Sequence, residues 1–161
     1  MNELNHFDDQ GRAQMVDVGG KDPSQRMARA QAIVTMSKNT MQRIVDGEVG
    51  KGDVLGVARL AGIMGAKQTS SLIPLCHPLA LSSINVDFEQ LDVDRLQIVA
   101  TVKVTGKTGV EMEALTAVST AALTIYDMCK AVDRGMYFDK IGLIHKSGGK
   151  SGTYEKEVVG Q

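Results

Sequence analysis

Apolar and polar positions alternate most clearly in two runs near the middle of the chain. In "SINVDFEQ", Ile84, Val86 and Phe88 alternate with Asn85, Asp87 and Glu89; in "RLQIVATVKV", Leu96, Ile98, Ala100, Val102 and Val104 share one face. A period of two puts successive side chains on opposite sides, so both runs predict strands with one face on a core. The link between them, "LDVD", is short enough to make them antiparallel neighbours. Earlier, "ARAQAIVTMS" (Ala28–Ser37) predicts a strand of looser alternation. Ser37 can then cap a short helix, "KNTMQRIVD", that stops at Gly47. After the turn "GEVGKG", Asp53 can cap a second helix, "VLGVARLAGIMGAKQ". A long helix is predicted from about Glu111 to Val132, and "MYFDKIGLIHK" is a last strand before the loop "KSGGKSG". The order β-α-α-β-β-α-β, with its middle strands joined directly, is a split βαβ pattern. It predicts an α+β, ferredoxin-like sandwich, an antiparallel sheet with helices packed on one face. One domain is expected over residues 14–152, between a flexible N-terminus (1–13) and a C-terminal tail (153–161).

Helical periodicity adds an expectation about assembly. In the long helix Leu115, Val118, Ala122, Ile125, Cys129 and Val132 recur three and four apart, a stripe for the sheet in which Cys129 is a core residue. The other face carries Glu113, Thr116, Ala117, Thr120, Thr124 and Asp127, small and nearly neutral, which predicts that another surface or a ligand covers it. The second helix has one charged residue between Val54 and Ala66, Arg59, and contains Gly56, Gly62 and Gly65. Each glycine costs a helix about 1 kcal/mol relative to Ala, which close backbone packing can offset. So little polar surface predicts burial between subunits, hence a homo-oligomer.

Composition narrows the classes. The 161 residues suffice for one core without disulfides, and a formal net charge of -1 gives no global signature of nucleic-acid or acidic-membrane binding. With no Trp, three Phe and three Tyr, base-stacking platforms are not expected, which disfavours an RNA-binding module. Cys76 and Cys129 have no Cys-x-x-Cys spacing, so neither a disulfide framework nor a zinc ribbon is expected. The start, "MNELNHFDDQGR", lacks a signal peptide's apolar run, and no stretch approaches a membrane span; the expected location is the cytoplasm.

Several segments carry candidate chemistry. "SLIPLCHPLALS" sets Cys76 beside His77, but neighbours in an extended segment point apart, so they make a poor nucleophile–base dyad. Zinc would need two further ligands at no recognisable spacing, so no metal site is expected. A functional His77, as ligand donor or proton carrier, with Cys76 packed away from it, fits better. "TGKTG" (Thr105–Gly109) fails as a Walker A motif because Thr101 stands where the first glycine belongs. It remains a Gly-rich turn with Lys107 near a helix N-terminus, either an anion site or a plain turn. "EVGKGD" holds Lys51 between two glycines, and "HKSGGKSG" carries Lys146 and Lys150; each is a phosphate-wrapping loop or a solvated one. In "YDMCKAV", Asp127 and Lys130 are spaced i,i+3 and can pair, either as a surface ion pair or as groups tuned for proton transfer. Glu113 and Asp127 lie 14 residues apart, or ~21 Å along a helix, too far for one small reaction centre. A long substrate, or a site between subunits, could use both.

"MVDVGGK", "KGDVLGVARLAGIMGAKQTSSLIPLCHPL", "TGKTGVEMEALTAVSTAALTIYDMCKAV" and "KSGGKSG" together closely resemble the cyclic pyranopterin monophosphate synthase family, protein C of molybdenum-cofactor biosynthesis. The likeness runs from about Met15 to Gly152. It implies a lyase that converts (8S)-3′,8-cyclo-7,8-dihydroguanosine 5′-triphosphate to cyclic pyranopterin monophosphate and releases pyrophosphate. It implies a ferredoxin-like fold and a homohexamer, a trimer of dimers, with sites at subunit interfaces. Carried over by matching motif, Asp127 would be the acid/base, with Lys130 beside it, Lys51 a second essential lysine, and His77 a further catalytic group. Leu75, Cys76, His77, Met112 and Glu113 would line the substrate, and Lys146 and Arg26 would hold the triphosphate. No intrinsic cofactor is implied; magnesium can accompany the triphosphate. A non-catalytic nucleotide-binding oligomer is the rival, but it has no need of Lys51, His77, Asp127 and Lys130 together.

Overall fold

A computed structural model of the chain describes residues 4–48 and 52–156. Among these, five strands form one antiparallel sheet in the order β2-β3-β1-β4-β5: β1 Ser24–Thr35, β2 Ser83–Gln90, β3 Arg95–Gly106, β4 Tyr137–Ser147 and β5 Tyr154–Glu155. The helices are α1 Lys38–Asp46, α2 Val54–Lys67, the single turn α3 Thr69–Leu72, and α4 Glu111–Cys129. β1 and β3 pair along their whole length, from Ser24 opposite Gly106 to Thr35 opposite Arg95. Each βαβ crossover therefore spans one intervening antiparallel strand, which is the split βαβ, ferredoxin-like arrangement.

The alternation in β3 is realised in full, with Leu96, Ile98, Ala100, Val102 and Val104 all buried under the helices. In β1 the helix-facing side is Ala28, Ala30, Ala32 and Val34, each fully buried, while Ile33 is buried on the opposite face. That second burial is why β1, a central strand, alternates loosely in sequence. β1 also begins at Ser24, four residues before the expected start, because its pairing with β3 continues to Gly106. Ser37 accepts from Thr40 N–H as the α1 cap, Gly47 takes a left-handed φ of 70° at its end, and Asp53 accepts from Gly56 N–H to start α2.

α4 departs from its expected stripe. Val118, Ala122, Ile125 and Cys129 are buried, but Leu115 is only half-buried, and Val132 lies exposed beyond the helix end at Cys129. The small-residue face is covered by the chain's own α2. A Cβ on Gly62 would sit 3.0 Å from the Ala117 carbonyl oxygen, and one on Gly65 2.4 Å from Thr120 Oγ1. These two glycines let the helix backbones approach, so the contact is intramolecular and not a partner's. What α2 leaves outside in the single chain is Val57, Leu60 and Met64, joined by Leu123 of α4, all exposed. No described helix is long and apolar enough to cross a membrane.

Candidate active site

The turn from β3 into α4 brings several predicted residues together. Gly109 has φ +93°, and a Cβ there would fall 2.6 Å from Leu79 Cδ1, so only glycine lets the "LIPLCHPL" segment pack under the start of α4. This places Cys76 near Glu113. Burial pushes the Cys76 thiol up, and the Glu113 charge adds to it, so Cys76 is a poor thiolate at neutral pH. Glu113 is itself 5% exposed and has no cationic partner among the described residues. Burial raises its carboxyl, against the pull of its own backbone N–H, and Glu111 raises it further. Met112, the neighbour of Glu113 on α4, is 37% exposed, and Leu75 is half-buried.

His77 and Cys76 meet different partners, Cys76 the Glu113 side and His77 the segment preceding β1. The His77 Nε2 is 2.8 Å from the carbonyl oxygen of Val16 in that segment. Lys107 also reaches that segment, donating to the Gly19 carbonyl at 2.7 Å.

Arg26 organises the two glycine-rich loops. Its Nε and Nη2 donate to the carbonyls of Gly106 and Lys107, both at 3.1 Å. On its other side, a Cβ on Gly149 would lie 2.4 Å from Arg26 Nη1, and one on Gly148 2.0 Å from the Gln25 carbonyl oxygen. Both glycines have positive φ, so "KSGGKSG" can fold over β1 only as written. Between the Gly149–Lys150 loop and the segment Gly20–Ser24 lies a cleft of about 290 Å³ edged by Lys21, Asp22, Arg26 and Lys150, with the Ser24 hydroxyl on its wall buried and without a partner among the described residues. Lys146 stands opposite Ala28, on the helix side of the sheet, and its ammonium pairs with Glu111 in the first turn of α4. A larger concavity, about 430 Å³, lies on the helix-free face by Arg29, Asp87, Glu89 and Gln97; none of the candidate residues lines it.

Asp127 and Lys130 form a second, separate group at the far end of α4. Lys130 Nζ donates to Asp127 Oδ1 at 2.6 Å, with the side chains 53% and 64% exposed. The Asp127 carboxylate holds the ammonium above its ordinary range, chiefly through that hydrogen bond. Fourteen residues of continuous helix, ~21 Å, separate Asp127 from Glu113. Lys51 lies outside the described residues. No cluster of three His, Cys, Asp or Glu that could hold a metal ion occurs among the described residues. Three features escaped the sequence: the carbonyls of Val16 and Gly19, the Glu111 partner of Lys146, and the Asp133 carboxylate that caps α1. Carbonyl acceptors have no residue type to betray them; only the Gly-Gly pair hinted at a fixed segment.

Residues 15–149 match the model of the MoaC family. The chain is 64% identical over 148 residues to the cyclic pyranopterin monophosphate synthase of Syntrophomonas wolfei, covering 91% of this chain and 94% of that one. It is 55% identical over 157 residues to the protein of the same name from Peptoclostridium acidaminophilum, covering 98% and 99%. The like-named protein of Desulfitobacterium hafniense is 57% identical over 155 residues, covering 96% and 95%.

Proposed function

The chain belongs to the MoaC family, and from that membership we infer that it is a lyase of molybdenum-cofactor biosynthesis. It converts (8S)-3′,8-cyclo-7,8-dihydroguanosine 5′-triphosphate to cyclic pyranopterin monophosphate and pyrophosphate. The observation that carries the site assignment is the division of candidate residues into two groups at opposite ends of α4. One group binds: Arg26, with Lys21 and Lys150, edges the cleft for the triphosphate, Lys146 adds a cation at the first turn of α4 beside Glu111, and Leu75, Cys76, His77, Met112 and Glu113 face the base. The other group moves protons: Asp127 with Lys130; Lys51, which lies outside the described residues, takes its part in proton transfer from its motif alone. Opening and re-closing the purine-derived ring requires proton transfers, which such groups speed by roughly 10²–10⁴. Attack on the α-phosphorus expels pyrophosphate, and fixed cations stabilise the charge that develops there.

One chain cannot bring both groups to one centre across ~21 Å, so a complete site joins the binding group of one chain to Asp127 of another. The exposed apolar strip of Val57, Leu60, Met64 and Leu123 supports an assembly, which we take to be a homohexamer, a trimer of dimers. No nucleic acid or membrane takes part. Magnesium enters only with the triphosphate; the cleft is edged chiefly by cations, which suit phosphate oxygens and not a bare hard cation. Two cysteines, Cys76 and Cys129, with no Cys-x-x-Cys spacing suit a reducing cytoplasm.

The test is to supply the cyclised triphosphate and follow pyrophosphate and pterin product. Turnover that is lost in Asp127→Asn and in Lys51→Ala is expected. No turnover by the unmodified protein defeats the activity, and full turnover in both variants defeats the site assignment.

A further inference from the structure

The segment from Met15 to Lys21 has no regular secondary structure, yet two side chains of the site region hold it down. His77 Nε2 contacts the Val16 carbonyl at 2.8 Å, and Lys107 Nζ donates to the Gly19 carbonyl at 2.7 Å. The segment is stiffened from within, because Asp17 Oδ1 accepts from Gly19 N–H at 2.8 Å and the Val18 carbonyl from Lys21 N–H at 3.1 Å. A carbonyl oxygen can only accept, so Nε2 must carry the proton. Nδ1 has no partner among the described residues. In the neutral ring it bears the lone pair.

We propose that the Met15–Lys21 segment is a strap that sets the tautomer of His77, so that the ring offers Nδ1 to substrate as an acceptor, with Lys107 as the positioning residue that keeps the strap in place. This rests on the reading of His77 as a substrate-facing group and adds which atom it uses and what it recognises: an N–H donor of the purine-derived ring system. The same geometry gives the Gly-rich turn a role that is neither phosphate binding nor a plain turn, since its lysine spends its charge on a carbonyl of the strap.

The imidazole nitrogen chemical shifts of ¹⁵N-histidine-labelled full-length protein test this without substrate. The chain has three histidines, so His77→Asn identifies the signals that belong to His77. In its neutral form, His77 should show a protonated Nε2 and an unprotonated Nδ1. Lys107→Met should shift it toward a mixture of tautomers, and Lys107→Arg should restore it. A predominant Nδ1–H form in the unmodified protein, or identical shifts in Lys107→Met, overturns the proposal. Kinetics supply a second arm. An Asn amide reproduces the position of Nδ1, and a Gln amide that of Nε2. His77→Gln should therefore raise KM about tenfold more than His77→Asn does; the reverse order overturns the proposal. An inactive unmodified protein would defeat the enzymatic reading alone, because the nitrogen shifts are measured apart from turnover.

Discussion

Glu113 and Asp127 are both acids on α4, and their surroundings make them different reagents. Glu113 is buried with no cation beside it among the described residues, so its neutral form is favoured; Asp127 is half in solvent and accepts from the Lys130 ammonium. For Glu113 the folded protein binds the proton more tightly than the unfolded chain, whose reference value is 4.5. Its stabilising contribution is present below that value and is lost as pH rises through the raised folded value. Glu113→Gln, always neutral, should therefore melt higher than the unmodified protein at pH 8, with the gap closing toward pH 4. Thermal denaturation across that range checks it, and a gap that widens in acid would refute the assignment of buried charge. At the other group, Asp127→Asn removes the acid/base while leaving a similar shape. Turnover should fall by roughly 10²–10⁴, with substrate affinity in equilibrium dialysis changed far less.

At the scale of elements, the contact of α2 with α4 decides how glycine acts. In an exposed helix, Gly→Ala gains about 1 kcal/mol. At Gly65 the added Cβ meets Thr120 at 2.4 Å from Oγ1 and 2.8 Å from Cβ, both on a packed neighbour. Gly65→Ala should instead cost about 1–3 kcal/mol, seen as a lower urea midpoint with an unchanged slope. The start of α1 depends on a distant carboxylate. Asp133 Oδ2 accepts from Ser37 N–H at 2.8 Å and from Thr40 Oγ1 at 3.1 Å. The Ser37 N–H is the main cause that holds its pKa below the ordinary carboxylate value of 3.8. That contribution is full above 3.8 and is lost as pH falls through the folded value. Asp133→Asn should cost about 1 kcal/mol at neutral pH, the low end because solvent screens the group, and little at pH 2. Chemical denaturation at the two pH values measures the difference.

For the whole molecule, the two-group site makes a demand on assembly. Variants His77→Gln and Asp127→Asn damage the binding and the proton-transfer groups; the first should raise KM about tenfold or more and the second should lower turnover, so each alone is strongly impaired at substrate well below KM. If a site takes His77 from one chain and Asp127 from another, mixed oligomers formed from the two variants contain some sites with both natural residues. Co-refolding equal amounts should recover activity to about a quarter of the unmodified level, by random pairing of two chains at each site. Recovery no greater than the sum of the separate variants would show that each chain works alone. Light scattering should find an oligomer at assay concentration; a monomer would defeat the shared site.

The strands, the caps Ser37, Gly47 and Asp53, and the ferredoxin-like order were legible in the sequence because each rests on local chemistry: a period of two, a hydroxyl or carboxylate before a helix, a glycine after it. Motif likeness likewise marked His77, Glu113, Asp127 and Lys146 one by one. Tertiary structure alone decided what those residues meet. Gly62 and Gly65 signalled close packing, but that the surface above them is α4 of the same chain depends on the crossover geometry. Arg26 signalled positive charge, but its service to two loop carbonyls depends on where β1 pairs. Val16 signalled nothing, since the group that engages His77 is a backbone carbonyl common to every residue. Local composition sets which elements form; the long-range contacts between them, which no short window of sequence contains, set which atoms face each other.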